Sequence, residues 1–361
     1  MTSIATPEGP HVHHGGYKVP GGKLVVVDLE STSNVISAAS INGDFFLEPD
    51  SLLEDLNQAL VGLSVNADHA TIRDAINAVV PEGAHLIGFD AQAVAMGVRR
   101  ALGHATRWRD HDWHVIPPSV LAPELNVALD EVLTREVAAG TRPPTLRFWD
   151  WDAPAVVIGS FQAVHNEIDV ESADKHGVHI IRRISGGGAM FMEAGNCITY
   201  SLYVPPSLVD GKSFADSYPF LDAWVMEALE RVGIEAFYKP LNDIATPQGK
   251  IGGAAQKRLA TGALLHHVTM SYDIDADKMS EVLTVSEEKI SDKGIKSAKK
   301  RVDPLKRQTG MTRDAIIDVM MDTFTQRYDA RPAEIGEASL AAARELVSTK
   351  FGTHEWTYRL P

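Results

Sequence analysis

The chain of 361 residues is 44% hydrophobic and 23% charged, an ordinary globular composition long enough for two domains and a large core. Its formal net charge of −14 excludes general nucleic-acid binding, which rests on a basic surface. No apolar run reaches the ~18–20 residues of a transmembrane helix, no signal-peptide pattern opens the chain, and lone Cys197 cannot form an internal disulfide, so a soluble cytoplasmic protein without membrane association is expected.

Residues 1–20, rich in His, Gly and Pro and without hydrophobic period, read as a flexible tail. Leu24–Asp28 and Val35–Ile41 read as strands joined by a hairpin-like segment from Glu30 to Asn34. Asp50 can cap a helix running to about Leu60, with Leu52, Leu53, Leu56 and Leu60 at helical spacing and Gly62 beyond its end. Further helices are predicted over Thr71–Val79 and Asp90–Leu102. Strands followed by helices make residues 21–105 a small α+β unit. Residues 106–122, with Arg107, Arg109, His111, His114, Pro117 and Pro118, read as a polar linker.

A second unit spans 123–361. Pro123 suits a first helical turn, Leu125, Ala128, Leu129 and Val132 share one face, and Gly140 follows the helix. Strands are predicted at Thr145–Trp149, Ala155–Ile158, His179–Arg183 and Ile198–Val204, then a helix over Phe220–Val232. More strands follow near Ile234–Tyr238, Asp243–Thr246, Gly249–Ala254 and Leu264–Tyr272, and the C-terminal region is helical. The fold class is α+β, with a large mixed, mostly antiparallel sheet and flanking helices.

Three segments carry chemistry. In the first, a strand delivers Arg182 and Arg183 into Ile184-Ser185-Gly186-Gly187-Gly188-Ala189. Consecutive glycines are entropically costly in a strand, and they make sense where backbone approaches a ligand closely. Arg183 can then offer a cationic fork to phosphate. A bulge or tight turn at the strand end is the alternative. In the second, Asn242-Asp243 precedes Gly249-Lys250-Ile251-Gly252-Gly253-Ala254-Ala255-Gln256. A lysine between glycines on a strand edge can stabilise charge where a carboxylate meets an α-phosphate, although it can also be a plain hairpin residue. The third is the apolar strand around His266-His267, of which one histidine should face inward and which has no metal-ligand spacing.

Together with Asn126-Val-Ala-Leu-Asp130, Gly159-Ser-Phe-Gln162, Lys293-Gly-Ile-Lys-Ser-Ala-Lys-Lys-Arg-Val302 and Glu355-Trp356, these segments resemble the catalytic domain of the lipoate–protein ligase A family, within the biotin/lipoate ligase superfamily. Gly21-Gly22-Lys23-Leu24-Val25 and Gly43-Asp44-Phe45-Phe46 resemble the family's accessory domain, here placed before the catalytic one. The resemblance implies adenylation of lipoate by ATP with Mg²⁺, then transfer of the acyl group to a lysine of a lipoyl carrier domain. Carriers would be those of 2-oxoacid dehydrogenase complexes or the glycine cleavage H protein. It implies Lys250 as the catalytic residue. ATP contacts fall on Arg183, on the backbone of Gly188, Ala189, Met190 and Phe191, and on Asn242, Asp243 and Lys250, with Asp243 also facing the metal. Lipoate contacts fall on Lys250, Arg182, Ser185, Gly186, Gly187 and His267, and Ile198 and Tyr200 are candidates for the acyl slot. The basic residues Lys293, Lys296, Lys299, Lys300, Arg301, Lys306 and Arg307 could close over nucleotide or steer an acidic carrier. Two departures from the family, Met192 for histidine and Val268 for glycine, bear on the acyl pocket and nucleotide binding. An octanoyl or lipoyl transferase working through cysteine, a biotin ligase and a non-catalytic binding homologue are the alternatives.

Overall fold

The computed structural model describes residues 10–284 and 304–360. The chain divides into two compact units, one of residues up to Arg107 together with Ser207–Lys212, the other comprising Trp108–Pro206 and Ser213 onward. No helix among the described residues is long and apolar enough to cross a membrane.

The first unit is an antiparallel sheet of β1 (His11–Lys18), β2 (Leu24–Thr32) and β3 (Val35–Gly43), with β4 (Phe46–Glu48) paired to β5 (His85–Ile87). Helices α1 (Leu52–Leu60), α2 (His69–Val79) and α3 (Ala91–Ala101) complete it. Alternate residues Val25, Val27 and Leu29 of β2 meet Leu56, Ile72 and Val94 in its core. Asp68 and Asp90 cap α2 and α3 by accepting from backbone N–H groups. Arg99 grips both oxygens of Asp210 at 2.9 Å, which ties Ser207–Lys212 into this unit.

Two expectations are corrected here. The supposed tail through residue 20 contains β1, paired over its whole length with β2. Its inward position is Gly15, where an added Cβ would lie 2.3 Å from the Ala101 nitrogen and 2.5 Å from the Gly97 oxygen of α3. Backbone meets backbone there, so the strand shows no apolar alternation. The supposed linker 106–122 is also structured. It carries β6 (His114–Ile116) and β7 (Val120–Leu121), and Trp113 is wholly buried, edge-on to Phe324 at 5.5 Å.

The second unit continues through α4 (Pro123–Ala138), β8 (Thr145–Phe148), β9 (Asp150–Trp151), β10 (Ala155–Ile158), α5 (Val164–Glu167), α6 (Val170–Lys175), β11 (His179–Arg182), β12 (Met190–Met192) and β13 (Cys197–Val204). After α7 (Phe214–Leu221) and α8 (Ala223–Arg231) come β14 (Phe237–Lys239), β15 (Asp243–Thr246), β16 (Gly249–Arg258) and β17 (Leu264–Ser271). The C-terminal part holds α9 (Ala276–Val282), α10 (Leu305–Thr309), α11 (Arg313–Tyr328), β18 (Arg331–Pro332), α12 (Glu337–Leu346) and α13 (His354–Thr357). Its main sheet runs β14-β15-β16-β17-β13-β8-β6-β18, antiparallel except at β8-β6 and β6-β18. In a smaller sheet, ordered β11-β10-β12, the central β10 pairs parallel with β11 and antiparallel with β12, and the glycine loop connects β11 to β12.

The helix expected over Phe220–Val232 is broken at Asp222. Asp222 leaves the helical path with φ −100° and ψ 6°, and its fully buried carboxylate accepts from Tyr200 at 2.6 Å, His266 at 2.6 Å and Tyr238 at 3.1 Å. A carboxylate buried without such partners would be prohibitively costly, so the backbone turns to let it meet them.

Candidate active site

The glycine loop is held from behind. Arg183 is 5% exposed and donates from Nε to Ser185 Oγ at 2.9 Å and from its terminal nitrogens to the carbonyls of Val157, Gly186 and Gly188 at 2.7–2.9 Å. Burial lowers its pKa to about 10, which leaves it charged at neutral pH. These bonds use four of the five guanidinium N–H groups. Arg183 is therefore chiefly a staple that turns loop carbonyls inward, not the free phosphate fork expected of it. Gly187 takes φ +93°, a left-handed conformation that a side chain would strain.

Beyond the loop lies a cavity of roughly 120 Å³. Arg183, Gly188, Ala189, Met190, Asn242, Lys250 and His267 all line it, with Trp149, Val157, Met192, Thr199, Gly253, Ala254, Ala255 and Thr269. Lys250 Nζ stands 2.7 Å from Asp243 Oδ1, both side chains being about one-third exposed. Asn242 donates from Nδ2 to the Ala254 carbonyl at 2.6 Å and receives the Ala254 N–H on its own carbonyl at 2.8 Å, which fixes the turn entering β15 against β16. The cavity thus joins one ammonium and an adjacent carboxylate to a mostly apolar wall. Among the described residues no cluster of three or more His, Cys, Asp or Glu side chains could hold a metal ion.

Several expected positions fall elsewhere. Arg182 is fully buried away from the cavity, where it binds the carbonyls of Gly159, Gln162, Trp356, Thr357 and Leu360 and so fastens the C-terminal segment. The Phe191 side chain points to the opposite face of β12 and packs with Val156 and Ile158. Gly186 and Gly187 line a neighbouring opening of about 480 Å³ with Phe161, Phe214 and Leu241. Ser185 is buried and bonds to His267 at 2.7 Å without lining the cavity. Ile198 and Tyr200 lie on the wrong face of β13, because Thr199 is the residue that reaches the cavity and alternate residues point apart. Val268 is likewise on the far side of β17, whereas Met192 does shape the cavity wall and lies 3.8 Å from the Thr199 hydroxyl. Both histidines are buried, since β17 is covered on both faces: His266 turns to Asp222 and His267 to the cavity.

Lys306 pairs with Asp273 at 2.5 Å on the surface. Lys293, Lys296, Lys299, Lys300 and Arg301, expected to close over nucleotide or steer a carrier, lie outside the described residues with the rest of the segment 293–302. The sequence reading missed Trp149, Val157, Thr199 and Thr269 as cavity residues. The signal for two of them was present: Thr269 lies two residues beyond His267 on one strand face, and Thr199 is directly opposite Thr269, with their hydroxyls 3.1 Å apart.

Cys197 lies next to this region but is fully buried and outside the cavity lining. Burial pushes its thiol up to about 11, so it carries almost no thiolate at neutral pH.

The lipoyl protein ligase A/B catalytic domain pattern matches residues 122–325. A lipoate-protein ligase A subunit 1 from Thermoplasma acidophilum is 31% identical over 248 residues, covering 65% of this chain and 92% of the relative. An octanoyltransferase LipM from Halalkalibacterium halodurans is 25% identical over 275 residues, covering 68% and 99%. Among solved structures, the bi-partite lipoate protein ligase of Thermoplasma acidophilum, studied with its E2 lipoyl domain, superposes with a TM-score of 0.61 at 28% identity, over 70% of this chain and 98% of that one. A lipoate-protein ligase A bound with ATP shares the fold, with a TM-score of 0.58 at 24% identity over 70% and 100%.

Proposed function

Because the chain belongs to the lipoyl protein ligase A/B catalytic-domain family, we propose that it is an ATP-dependent lipoate–protein ligase. The observation that carries this reading is the Lys250 ammonium, set over Gly253 at the mouth of an apolar cavity in a chain whose one thiol is buried and protonated. An apolar wall of Trp149, Val157, Met190 and Met192 suits an acyl chain, and a fixed ammonium suits its carboxylate.

In the first step the lipoate carboxylate attacks the α-phosphorus of ATP, and pyrophosphate leaves. Lys250 bridges carboxylate and phosphoryl oxygens, where negative charge concentrates in the transition state. Its ion pair with Asp243 holds the ammonium in place until substrate arrives. The glycine-loop backbone, kept in shape by Arg183, and Asn242 border the nucleotide. Mg²⁺ would accompany the triphosphate, with Asp243 as the nearby carboxylate, since such ions are commonly held by one or two carboxylates plus substrate phosphates. In the second step the amine of a carrier lysine attacks the acyl-adenylate and expels AMP; a dry apolar wall limits hydrolysis of that anhydride. The carrier is a lipoyl domain of the kind found in 2-oxoacid dehydrogenase complexes or the glycine cleavage H protein. The first unit acts as an accessory domain for adenylation.

Octanoyltransferase relatives favour a second reading, transfer through a cysteine thioester without ATP. Burial of Cys197 opposes it. The two readings separate on one comparison: wild type and Cys197→Ser, each mixed with ATP, Mg²⁺ and lipoate. Pyrophosphate release surviving in both supports the ligase. No pyrophosphate release from the wild type, together with an acyl group on Cys197 when an octanoyl thioester donor is supplied instead of ATP and lipoate, supports the transferase.

A further inference from the structure

Behind the cavity wall, four side chains from three separate stretches of chain form one line of hydrogen bonds. Asp130 Oδ2 of α4 lies 2.8 Å from His267 Nδ1 of β17. His267 Nε2 lies 2.7 Å from Ser185 Oγ, and Ser185 Oγ receives Arg183 Nε–H at 2.9 Å. All four groups are buried, with Asp130 at 1% and Ser185 at 0% exposure. Their donor and acceptor roles follow from the carboxylate end. An ionised carboxylate only accepts, so His267 Nδ1 carries the proton and the neutral ring leaves Nε2 as acceptor. The Ser185 hydroxyl must then donate to Nε2, which turns its lone pairs toward Arg183. Asp130 itself cannot rotate, because Oδ1 receives Tyr203 O–H at 2.8 Å and a more distant Arg147 N–H at 3.4 Å.

We propose that Asp130 is a positioning residue for the glycine loop, acting through His267 and Ser185 on Arg183. Arg183 binds the Gly186 and Gly188 carbonyls and therefore sets the wall that Gly188, Ala189 and Met190 present to substrate. The Asp130 charge is offset by the buried Arg147 guanidinium 3.4 Å away and reaches Arg183 only through two neutral groups. Removing the carboxylate charge frees His267 to exchange tautomers. With Nε2 protonated, Ser185 must turn its proton away and accept from both His267 and Arg183, which re-aims the oxygen that holds Arg183 Nε. Besides Asp130 and Arg183, the titratable and charged groups around the ring are His266 on its own strand, Arg147 of β8, Tyr203 of β13 and Lys250 across the cavity.

The test uses the full chain in two independent readouts. Nitrogen-15 NMR of histidine-labelled protein should show His267 as the Nδ1–H tautomer, with a slowly exchanging proton that is lost in Asp130→Asn and kept in Ser185→Ala. This readout needs no activity, so it stands whether or not the ligase reading does. Pyrophosphate release with ATP and lipoate should then fall about tenfold in Asp130→Asn and in Ser185→Ala, and the double variant should be no slower than the slower single one, as expected for residues acting in one line. Ser185→Ala leaves Tyr203 and Arg147 on Asp130, so it remains informative even if Asp130→Asn unfolds. An Nε2–H tautomer in the wild type, wild-type activity in Ser185→Ala, or about a hundredfold loss in the double variant would each overturn the proposal.

Discussion

Replacing Gly253 with alanine moves the Lys250 ammonium without removing its charge. A Cβ at 253 would lie 3.1 Å from Lys250 Nζ, 3.4 Å from Cε and 3.7 Å from Asp243 Oδ1. Comfortable separations are ~3.5–4.0 Å, so the ammonium must retreat by about half an ångström. The fold should tolerate this, because the crowded atoms are the far end of a flexible chain and alanine suits a strand better than glycine by ~0.5–1 kcal/mol. Misplacement of a catalytic group by ~1 Å costs on the order of a hundredfold in rate, so about tenfold is expected here. Lys250→Ala removes the charge and should cost about 10²–10³-fold. Its ion pair, about one-third exposed, contributes no more than ~1 kcal/mol, so that variant should also stay folded. Gly252→Ala is the contrast: its Cβ would lie 2.6 Å from the Thr269 carbonyl, a backbone clash that destabilises the sheet. Pyrophosphate release and urea midpoints, measured side by side on the three variants, separate the effects. Full activity in Gly253→Ala beside an inactive Lys250→Ala would show that the ammonium's position is immaterial, and full activity in both would refute a catalytic Lys250.

Three other outcomes follow from the same geometry. Asp222→Ala strands the Tyr200, Tyr238 and His266 donors, which at ~1–3 kcal/mol per unsatisfied buried donor should lower unfolding free energy by about 3–5 kcal/mol; a loss below ~1 kcal/mol in urea titrations would contradict the network. Burial holds His69, His111 and His267 below the ordinary histidine value of 6.5. The unfolded chain therefore takes up protons that the native state refuses as pH falls through about 6.5; the urea midpoint should hold above that pH, drop below it, and drop less in His267→Gln. Removal of residues 1–107 should leave the second unit folded but slow in lipoate activation, with recovery when the first unit is supplied in trans; an unimpaired truncated protein would dismiss the accessory role.

What was legible in the sequence was order and chemistry. The glycine run, Lys250 between glycines, and the paired histidines all bear on one cavity or its support, and the sheet was foreshadowed by the alternation over Ile198–Val204 and the apolar strand around His266-His267. What was not legible was direction. Arg182 and Arg183 look equivalent in sequence, yet one fastens the C-terminus and the other the glycine loop. Ile198 and Tyr200 are the apolar face of β13, but the cavity took the face bearing Thr199. Gly15 concealed a strand because close approach to α3 removed the side chain that would have shown the period. Asp222 broke a continuous helical pattern because three donors from other segments, invisible locally, needed a carboxylate.

The adjacent histidines of β17 have a consequence for how the sheet is assembled. His266 and His267 each end on a different buried acid, Asp222 on one side of the strand and Asp130 on the other. A slip of one residue would exchange the two faces, setting Leu265 against Asp222 or Val268 against Asp130 and so leaving one buried acid without an imidazole. Two apolar strands can slide past one another at modest cost; this one cannot. A one-residue insertion or deletion within β17 therefore strands a buried carboxylate, and the His-His pair keys the strand to a single alignment with β13 and β16 before any substrate is bound.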